Sequence, residues 1–268
     1  MRPSAGTSTQ GGSKAWQRWQ IHSGANCQVP QCAHRCTQSR PWHSAFQYGA
    51  CSPSGSANET LFFNGFPDDV NRTVPMKDRL GSPDTYNHYP TGWAVGFSTP
   101  YRMFKRYGSY AGGTCDPLVI HWPAGIRARG EVRHQYHHCT DIVPTILEAC
   151  GVPMPEVIDG VKQAPLAGVS MLYSFDDADA PTTKQTQYYE MAGTRGIWSE
   201  GWKASALHAP MPSDQGRFDQ DAWQLFHTDE DRAEARDLAA EHPDKLKELT
   251  DLWLSEAKKN NVLPLNDL

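Results

Sequence analysis

The first fifth of the chain lacks whole classes of residue. Residues 1–57 contain no Leu, no Asp and no Glu, and their only branched aliphatic residues are Ile21 and Val29. A stretch with so little apolar material has no helical or strand periodicity and cannot offset the entropy lost on ordering. We therefore predict that residues 1–57 are disordered, and we hypothesise a frame-shifted segment as their origin.

Long apolar runs and an excess of basic residues are also missing. No stretch approaches the ~18 apolar residues of a membrane helix, and nothing at the N-terminus resembles a secretory signal peptide. A formal net charge of -5 argues against the basic face of a nucleic-acid-binding protein. An odd number of cysteines without an export signal indicates free thiols. The composition thus predicts no membrane and no nucleic-acid partner, and a cytoplasmic location by default.

Two clusters contain the side chains that bind metals. The first combines Cys27, Cys32 and Cys36 with His34 and His43. Thiolate and imidazole are zinc ligands, so this segment has a zinc module as one interpretation. The cysteines are not spaced as paired C-x2-C knuckles, and we favour chance enrichment instead.

The second cluster consists of His134, His137, His138 and Cys139. Three imidazoles so close in sequence are compatible with a metal site. They also immediately precede a predicted helix, and we favour their interpretation as polar residues that lead into it.

The middle of the chain shows one predicted strand and one predicted helix. Residues 117–122 (PLVIHW) are a short apolar run between prolines, which is typical of a buried strand in an α/β sheet. Thr140 or Asp141 is placed to cap a helix that Gly151 ends. The helix is indicated by apolar residues at helical spacing: Ile142, Val143, Ile146, Leu147 and Cys150.

The C-terminal part predicts a small antiparallel meander covered by a helix. Four short strands are expected at residues 187–191, 195–198, 202–207 and 223–226. Glu200 and Gly201 suit a tight turn between the middle two strands. Pro243 suits the first turn of the helix. Its apolar face consists of Leu246, Leu249, Leu252, Trp253 and Ala257.

Several segments together carry a resemblance to a known family. They are residues 86–94 (YNHYPTGWA), 99–105 (TPYRMFK), 112–117 (GGTCDP), 141–147 (DIVPTIL), 189–191 (YEM), 201–203 (GWK) and 223–226 (WQLF) with its continuation to 238. In this order they resemble the C-terminal portion of the arylsulfatases, which are sulfatases of the alkaline-phosphatase-like superfamily. The resemblance runs from about residue 58 to residue 268.

The resemblance implies an α/β fold. We expect a partial alkaline-phosphatase-like (sulfatase) sheet plus a C-terminal α+β subdomain, which has a small antiparallel sheet and a packing helix. Residues 58–184 are expected to be the end of the catalytic domain and residues 185–268 the C-terminal subdomain, while residues 1–57 have no family match.

The resemblance also implies the hydrolysis of sulfate esters. In the full-length family the reaction uses calcium and a cysteine converted to formylglycine, and the substrate is a small-molecule sulfate ester. Lys105 matches the lysine whose ammonium contacts a sulfate oxygen in that family. The alternative for Lys105 is a position on a solvated face of its segment.

The other catalytic groups of the family have no counterpart in this sequence. Residues 51–55 (CSPSG) imitate the formylglycine motif C-x-P-x-R, but Gly55 replaces its arginine, and no Asp-Asn dipeptide occurs. We therefore expect no metal ligand and no cofactor in this chain and predict that it is an inactive fragment. The alternatives are a non-catalytic binding or assembly module derived from a sulfatase, and a related phosphodiesterase or phosphonate hydrolase.

Overall fold

The structure is a computed structural model, and it describes residues 20–23, 74–79, 91–105, 107–208 and 218–265. Cys51 and the first Cys–His cluster lie outside the described residues. The described part of residues 1–57 is a single strand, β1 (Gln20–Ser23). Four residues of the segment predicted to be disordered therefore form a strand, while the rest of that prediction and the proposed domain boundaries stay predictions.

The strand expected at residues 117–122 is present but is not buried. It is β2 (Leu118–His121), and it pairs antiparallel with β1 in a two-stranded sheet. Val119 is 53% exposed. The prediction of a buried strand is wrong for the described residues, because a two-stranded sheet that has no layer over β2 leaves its apolar side chains in solvent.

Several short helices lie before and after β2 along the chain. They are α1 (Thr91–Ser98), α2 (Ala111–Thr114), α3 (Ile142–Cys150) and the 3-10 helices Val74–Arg79, Cys139–Asp141 and Leu172–Ser174. α3 confirms the predicted helix, and Gly151 ends it in the left-handed conformation at φ 65°. The predicted cap needs correction. His138 caps the preceding 3-10 turn, and the Asp141 side chain makes no cap bond to α3.

The four C-terminal strands are confirmed as an antiparallel meander. They are β5 (Thr186–Met191), β6 (Thr194–Ser199), β7 (Trp202–Ala206) and β8 (Trp223–His227), in the order β5-β6-β7-β8. A hairpin of two short strands, β3 (Val157–Ile158) and β4 (Val161–Lys162), precedes them. The predicted turn between β6 and β7 has positive φ at both Glu200 and Gly201, 49° and 83°, which suits the twist of a tight hairpin.

The predicted helix α4 (Pro243–Lys259) covers one face of this sheet. Its buried residues Leu249, Trp253 and Ala257 form a core with Ile197, Ala204 and Leu225. Because side chains alternate along a strand, the residues next to Ile197, Ala204 and Leu225 on their strands point to the opposite face of the sheet. No helix in the described ranges, α4 included, is long and apolar enough to cross a membrane.

The opposite face of the sheet packs against the chain around residues 94–110. Phe226 of β8 shares a buried cluster with Ala94, Phe104, Tyr107 and Tyr110. Leu225 lies in the core under α4, one residue before Phe226. The sheet is therefore the middle layer between α4 and the segment that carries Lys105.

Candidate functional site

Lys105 lies in a turn within the segment that covers the sheet. We call residues 99–105 and 107–114 the lysine loop. The Lys105 side chain is half-buried, and its Nζ is shielded from solvent. This differs from the solvated face that was the alternative interpretation of Lys105.

Two glycines let the lysine loop close on itself. The Gly112 N–H donates to the carbonyl oxygen of Arg102 over 2.8 Å, and the Gly113 N–H donates to that of Tyr110 over 3.0 Å. A Cβ atom at Gly112 would overlap the carbonyl oxygens of Arg102 and Met103. The Gly112–Gly113 pair is therefore required by backbone packing, because no side chain fits between the two ends of the loop.

Polar contacts fix the lysine loop to the sheet. The Tyr110 hydroxyl donates to Oε1 of Gln224 over 2.7 Å. The buried Ser205 hydroxyl donates to the carbonyl oxygen of Ser109. At Gly196, an added Cβ would lie 3.4 Å from the carbonyl oxygen of Gly108, so the loop backbone lies close to β6. These contacts hold the backbone on the C-terminal side of Lys105 in place against the sheet.

A buried ion pair lies beneath the loop. The Lys203 ammonium donates to Oε1 of Glu234 over 2.6 Å, and the Ala111 N–H donates to Oε2 of the same carboxylate over 2.7 Å. Both side chains of the pair are almost fully buried. A buried carboxylate needs such partners, because an uncompensated charge inside a protein is strongly unfavourable.

A second buried ion pair holds the segment that leads into α3. The Lys184 ammonium donates to Oδ1 of Asp141 over 2.8 Å, and the N–H groups of His138 and Val169 donate to the same carboxylate. Burial alone would raise the pKa of Asp141, but the His137 imidazole, the Lys184 ammonium and the two N–H groups outweigh it. Together they hold the pKa of Asp141 well below its usual range.

Aromatic residues place this segment on the same face of the sheet as the lysine loop. Tyr136 stacks on Trp198 of β6 with ring centroids 3.7 Å apart, and its hydroxyl contacts that of Tyr189 on β5. Burial raises the pKa of both tyrosines, so their hydroxyls stay protonated at neutral pH.

The second cluster, for which a metal site was the less favoured interpretation, does not converge on one point. The His134 ring contacts Arg232 over 3.0 Å, whereas the His138 ring accepts from the Thr140 N–H. Among the described residues, no three His, Cys, Asp or Glu side chains are arranged to hold a metal ion. The described part of the chain therefore does not form the calcium site that the resemblance implies for full-length sulfatases.

The contacts that position the lysine loop were not predicted from sequence. Lys203 and Ser205 are two residues apart on β7, so they lie on the same face of the sheet, and both are buried. A lysine on the inner face of a predicted strand is a signal in itself, because it requires a buried carboxylate as partner. Nothing local identifies that partner as Glu234, which is 31 residues further along the chain.

Comparison with known proteins shows that the chain is similar in sequence to part of two sulfatases. It is 28% identical over 193 residues to an uncharacterized sulfatase of Schizosaccharomyces pombe, covering 71% of this chain and 33% of that protein. It is 26% identical over 154 residues to arylsulfatase K of Xenopus laevis, covering 56% of this chain and 27% of that protein. The chain thus spans about a third of the length of these relatives.

Two solved structures are similar to part of the chain. A Bacteroides thetaiotaomicron protein studied for glycosaminoglycan metabolism has a TM-score of 0.45 at 20% identity, covering 71% of this chain and 36% of that one. A protein solved with its substrate D-glucosamine-2-N,6-O-disulfate has a TM-score of 0.39 at 20% identity, covering 56% and 29%. No family model matches the chain.

Proposed function

We propose that the described residues are the sulfate-contacting end of a sulfate ester hydrolase. In this proposal the Lys105 ammonium contacts a sulfate oxygen of the substrate. Negative charge on the sulfate oxygens has to be held while the ester bond breaks, and a fixed cation serves this best. A sulfated small molecule is the substrate class.

The observation that carries the proposal is the rigid support under Lys105. The lysine loop closes through Gly112, rests on β6 at Gly196 and is bonded to β7 at Ser205. Because the Lys105 Nζ is shielded from solvent, its interaction with an anion would be stronger than at a hydrated surface. A preorganised ammonium of this kind supports the sulfate-contact role that the resemblance implies.

We further propose that this chain does not turn over sulfate esters by itself. Calcium and formylglycine supply the metal and the nucleophile in the full-length family, and the described residues do not fit the calcium site. The sequence has no C-x-P-x-R motif. What the chain contributes is the lysine loop and the subdomain beneath it.

The contact between Lys105 and sulfate can be measured directly. Lysine side chains are labelled by reductive 13C-methylation, and the Lys105 signal is assigned from its loss in Lys105→Arg. We expect sodium sulfate to shift the Lys105 signal more than sodium chloride at equal ionic strength. The solvent-exposed Lys247 is the control, and equal responses of the two lysines would contradict the contact. A phosphodiester titrated in parallel separates sulfate recognition from that of a related phosphodiesterase.

The absence of turnover has its own assay. The purified chain is incubated with an aryl sulfate and calcium, and release of the phenol is followed by absorbance. We expect no release above a protein-free sample. Calcium-dependent release that disappears in Cys51→Ala would overturn the proposal of an inactive chain.

A further inference from the structure

A single buried residue, Glu234, contacts the lysine loop on both sides of Lys105, once through its carboxylate and once through its backbone carbonyl oxygen. Oε2 of Glu234 accepts the N–H of Ala111, and the carbonyl oxygen of Glu234 lies 3.5 Å from NH1 of Arg102. Lys105 lies between these two attachment points. The Ala111 bond joins residues that are 123 positions apart in the chain.

Glu234 itself is held in an unfavourable backbone conformation. Its φ is 54°, in the left-handed region that a residue other than glycine rarely adopts. Such a conformation persists only where the surroundings over-determine it. Here Oδ2 of Asp231 accepts the N–H groups of Ala235 and Arg236, and the Glu234 N–H donates to the Asp231 carbonyl oxygen.

From this geometry we infer that Glu234 is the positioning residue for Lys105. Glu234 lies in the turn after β8, and its carboxylate contacts the lysine loop at Ala111. Lys203 binds Oε1 of Glu234, which leaves Oε2 to accept the Ala111 N–H. The sulfate-contacting lysine is thus oriented by the C-terminal subdomain. This inference rests on the proposed function, because the position of Lys105 matters only if its ammonium contacts a sulfate oxygen.

A purely structural role for the pair makes a different prediction, and the chain contains a matched control. The Asp141–Lys184 pair is similarly buried, and its carboxylate accepts two backbone N–H groups where that of Glu234 accepts one, but neither of the two belongs to the lysine loop. Glu234→Gln and Asp141→Asn therefore remove the same charge from two similar surroundings. If the role were only structural, the two variants would have the same effect on Lys105.

The first readout is hydrogen exchange at the Ala111 amide in the full chain. In Glu234→Gln the amide group retains one oxygen acceptor where the carboxylate had two, so Lys203 and Ala111 compete for it. We expect at least roughly tenfold faster exchange at Ala111, as for loss of a hydrogen bond to a charged group. Asp141→Asn should leave this rate unchanged.

The second readout is the 13C-methyl signal of Lys105 and its response to sodium sulfate. We expect Glu234→Gln to narrow the signal through added mobility and to reduce the sulfate-induced shift by about half or more, following partial loss of the orienting bond. Asp141→Asn should keep the wild-type shift. If Glu234→Gln fails to fold, Glu234→Leu with Lys203→Met replaces it. This double variant leaves no unpaired ammonium and no acceptor for the Ala111 N–H, so fast Ala111 exchange and the reduced sulfate-induced shift should both be seen, and a wild-type shift would contradict the positioning role.

The outcomes separate the inference from the proposed function. No sulfate response of Lys105 in the wild-type chain would overturn the proposed function. A wild-type response that Glu234→Gln leaves intact would overturn the positioning role alone. Equal losses in Glu234→Gln and Asp141→Asn would also overturn it, because both pairs would then act only through stability.

Discussion

Two regions of this molecule bury their side chains in different ways. The sheet unit, residues 186–208 and 218–265, has an apolar core in which Ile197, Leu225 and Trp253 are at most 1% exposed. The leading region, residues 91–105 and 107–184, leaves Val143 and Val161 at 50% and 63% exposure. Its contacts with the sheet unit combine the apolar cluster around Phe226 with buried hydrogen bonds, from the Ala111 N–H to Glu234 and from the Ser205 hydroxyl to the Ser109 carbonyl oxygen.

This difference shows which region organises the other. A core of apolar side chains between α4 and the sheet is self-contained and supplies most of the folding free energy. Polar contacts of the leading region are directional and contribute less each, but they fix the geometry of particular residues. The sheet unit should therefore fold as the base, and the lysine loop should be ordered by contact with it.

The largest expected effect comes from the core of the sheet unit. Trp253 is buried, stacks on Tyr188 and donates from its indole nitrogen to the carbonyl oxygen of Tyr189 over 3.1 Å. We expect Trp253→Ala to lower the free energy of unfolding by about 3–5 kcal/mol, measured by urea denaturation. Trp253→Phe should lower the free energy of unfolding by less than Trp253→Ala does. A lysine loop that keeps its protected amides after Trp253→Ala would show that the leading region is independent.

Acid should loosen the leading region next, because the Asp141–Lys184 pair joins two distant parts of that region. Because the folded-state pKa of Asp141 lies below its ordinary value of 3.8, the ionised carboxylate stabilises the fold above that value. The contribution is lost as pH falls through the folded-state pKa. We expect stability to fall as pH drops below 3.8, and Asp141→Asn to make that fall shallower. Identical acid limbs for wild type and variant would contradict the assigned role of the carboxylate.

A substitution at one glycine of the lysine loop should have a smaller effect on stability and tests the closure of the loop directly. In Gly112→Ala the new methyl group would meet two backbone carbonyl oxygens, which cannot rotate away. We expect a loss of about 1–3 kcal/mol and increased mobility of Lys105. Gly96→Ala in α1 is the control, because a Cβ there has nothing within 4 Å. Equal stabilities of the two alanine variants would mean that the loop does not close as tightly as described.

The sequence predicted the sheet unit well because its signals are local. Alternation along β5–β8, the Glu200–Gly201 turn and the spacing of apolar residues in α4 each involve neighbouring residues. The structure confirms all three. The same local reasoning predicted α3 and its end at Gly151.

The leading region was harder to predict because its order depends on distant residues. Thr140 or Asp141 was expected to cap α3, but the Asp141 carboxylate instead pairs with Lys184, 43 residues away. The strand at residues 118–121 was expected to be buried, although burial depends on which layers cover it and not on its own apolar run. The Lys105 role came from resemblance alone, and nothing near it in sequence indicated Glu234 as its support.

The smallest effect distinguishes a hydrogen bond to the lysine loop from one at the exposed end of strand β6. Ser205→Ala removes a buried bond to the carbonyl oxygen of Ser109 and should cost about 1 kcal/mol, because that oxygen has lost its protein donor. Ser199→Ala removes an exposed bond to the carbonyl oxygen of Gln185 and should cost less, because water replaces it. Urea denaturation measures both variants, and 13C-methyl relaxation of Lys105 should change only in Ser205→Ala. If the Ser199 variant also mobilised Lys105, the order of the loop would depend on the stability of the sheet as a whole rather than on the atoms that touch it.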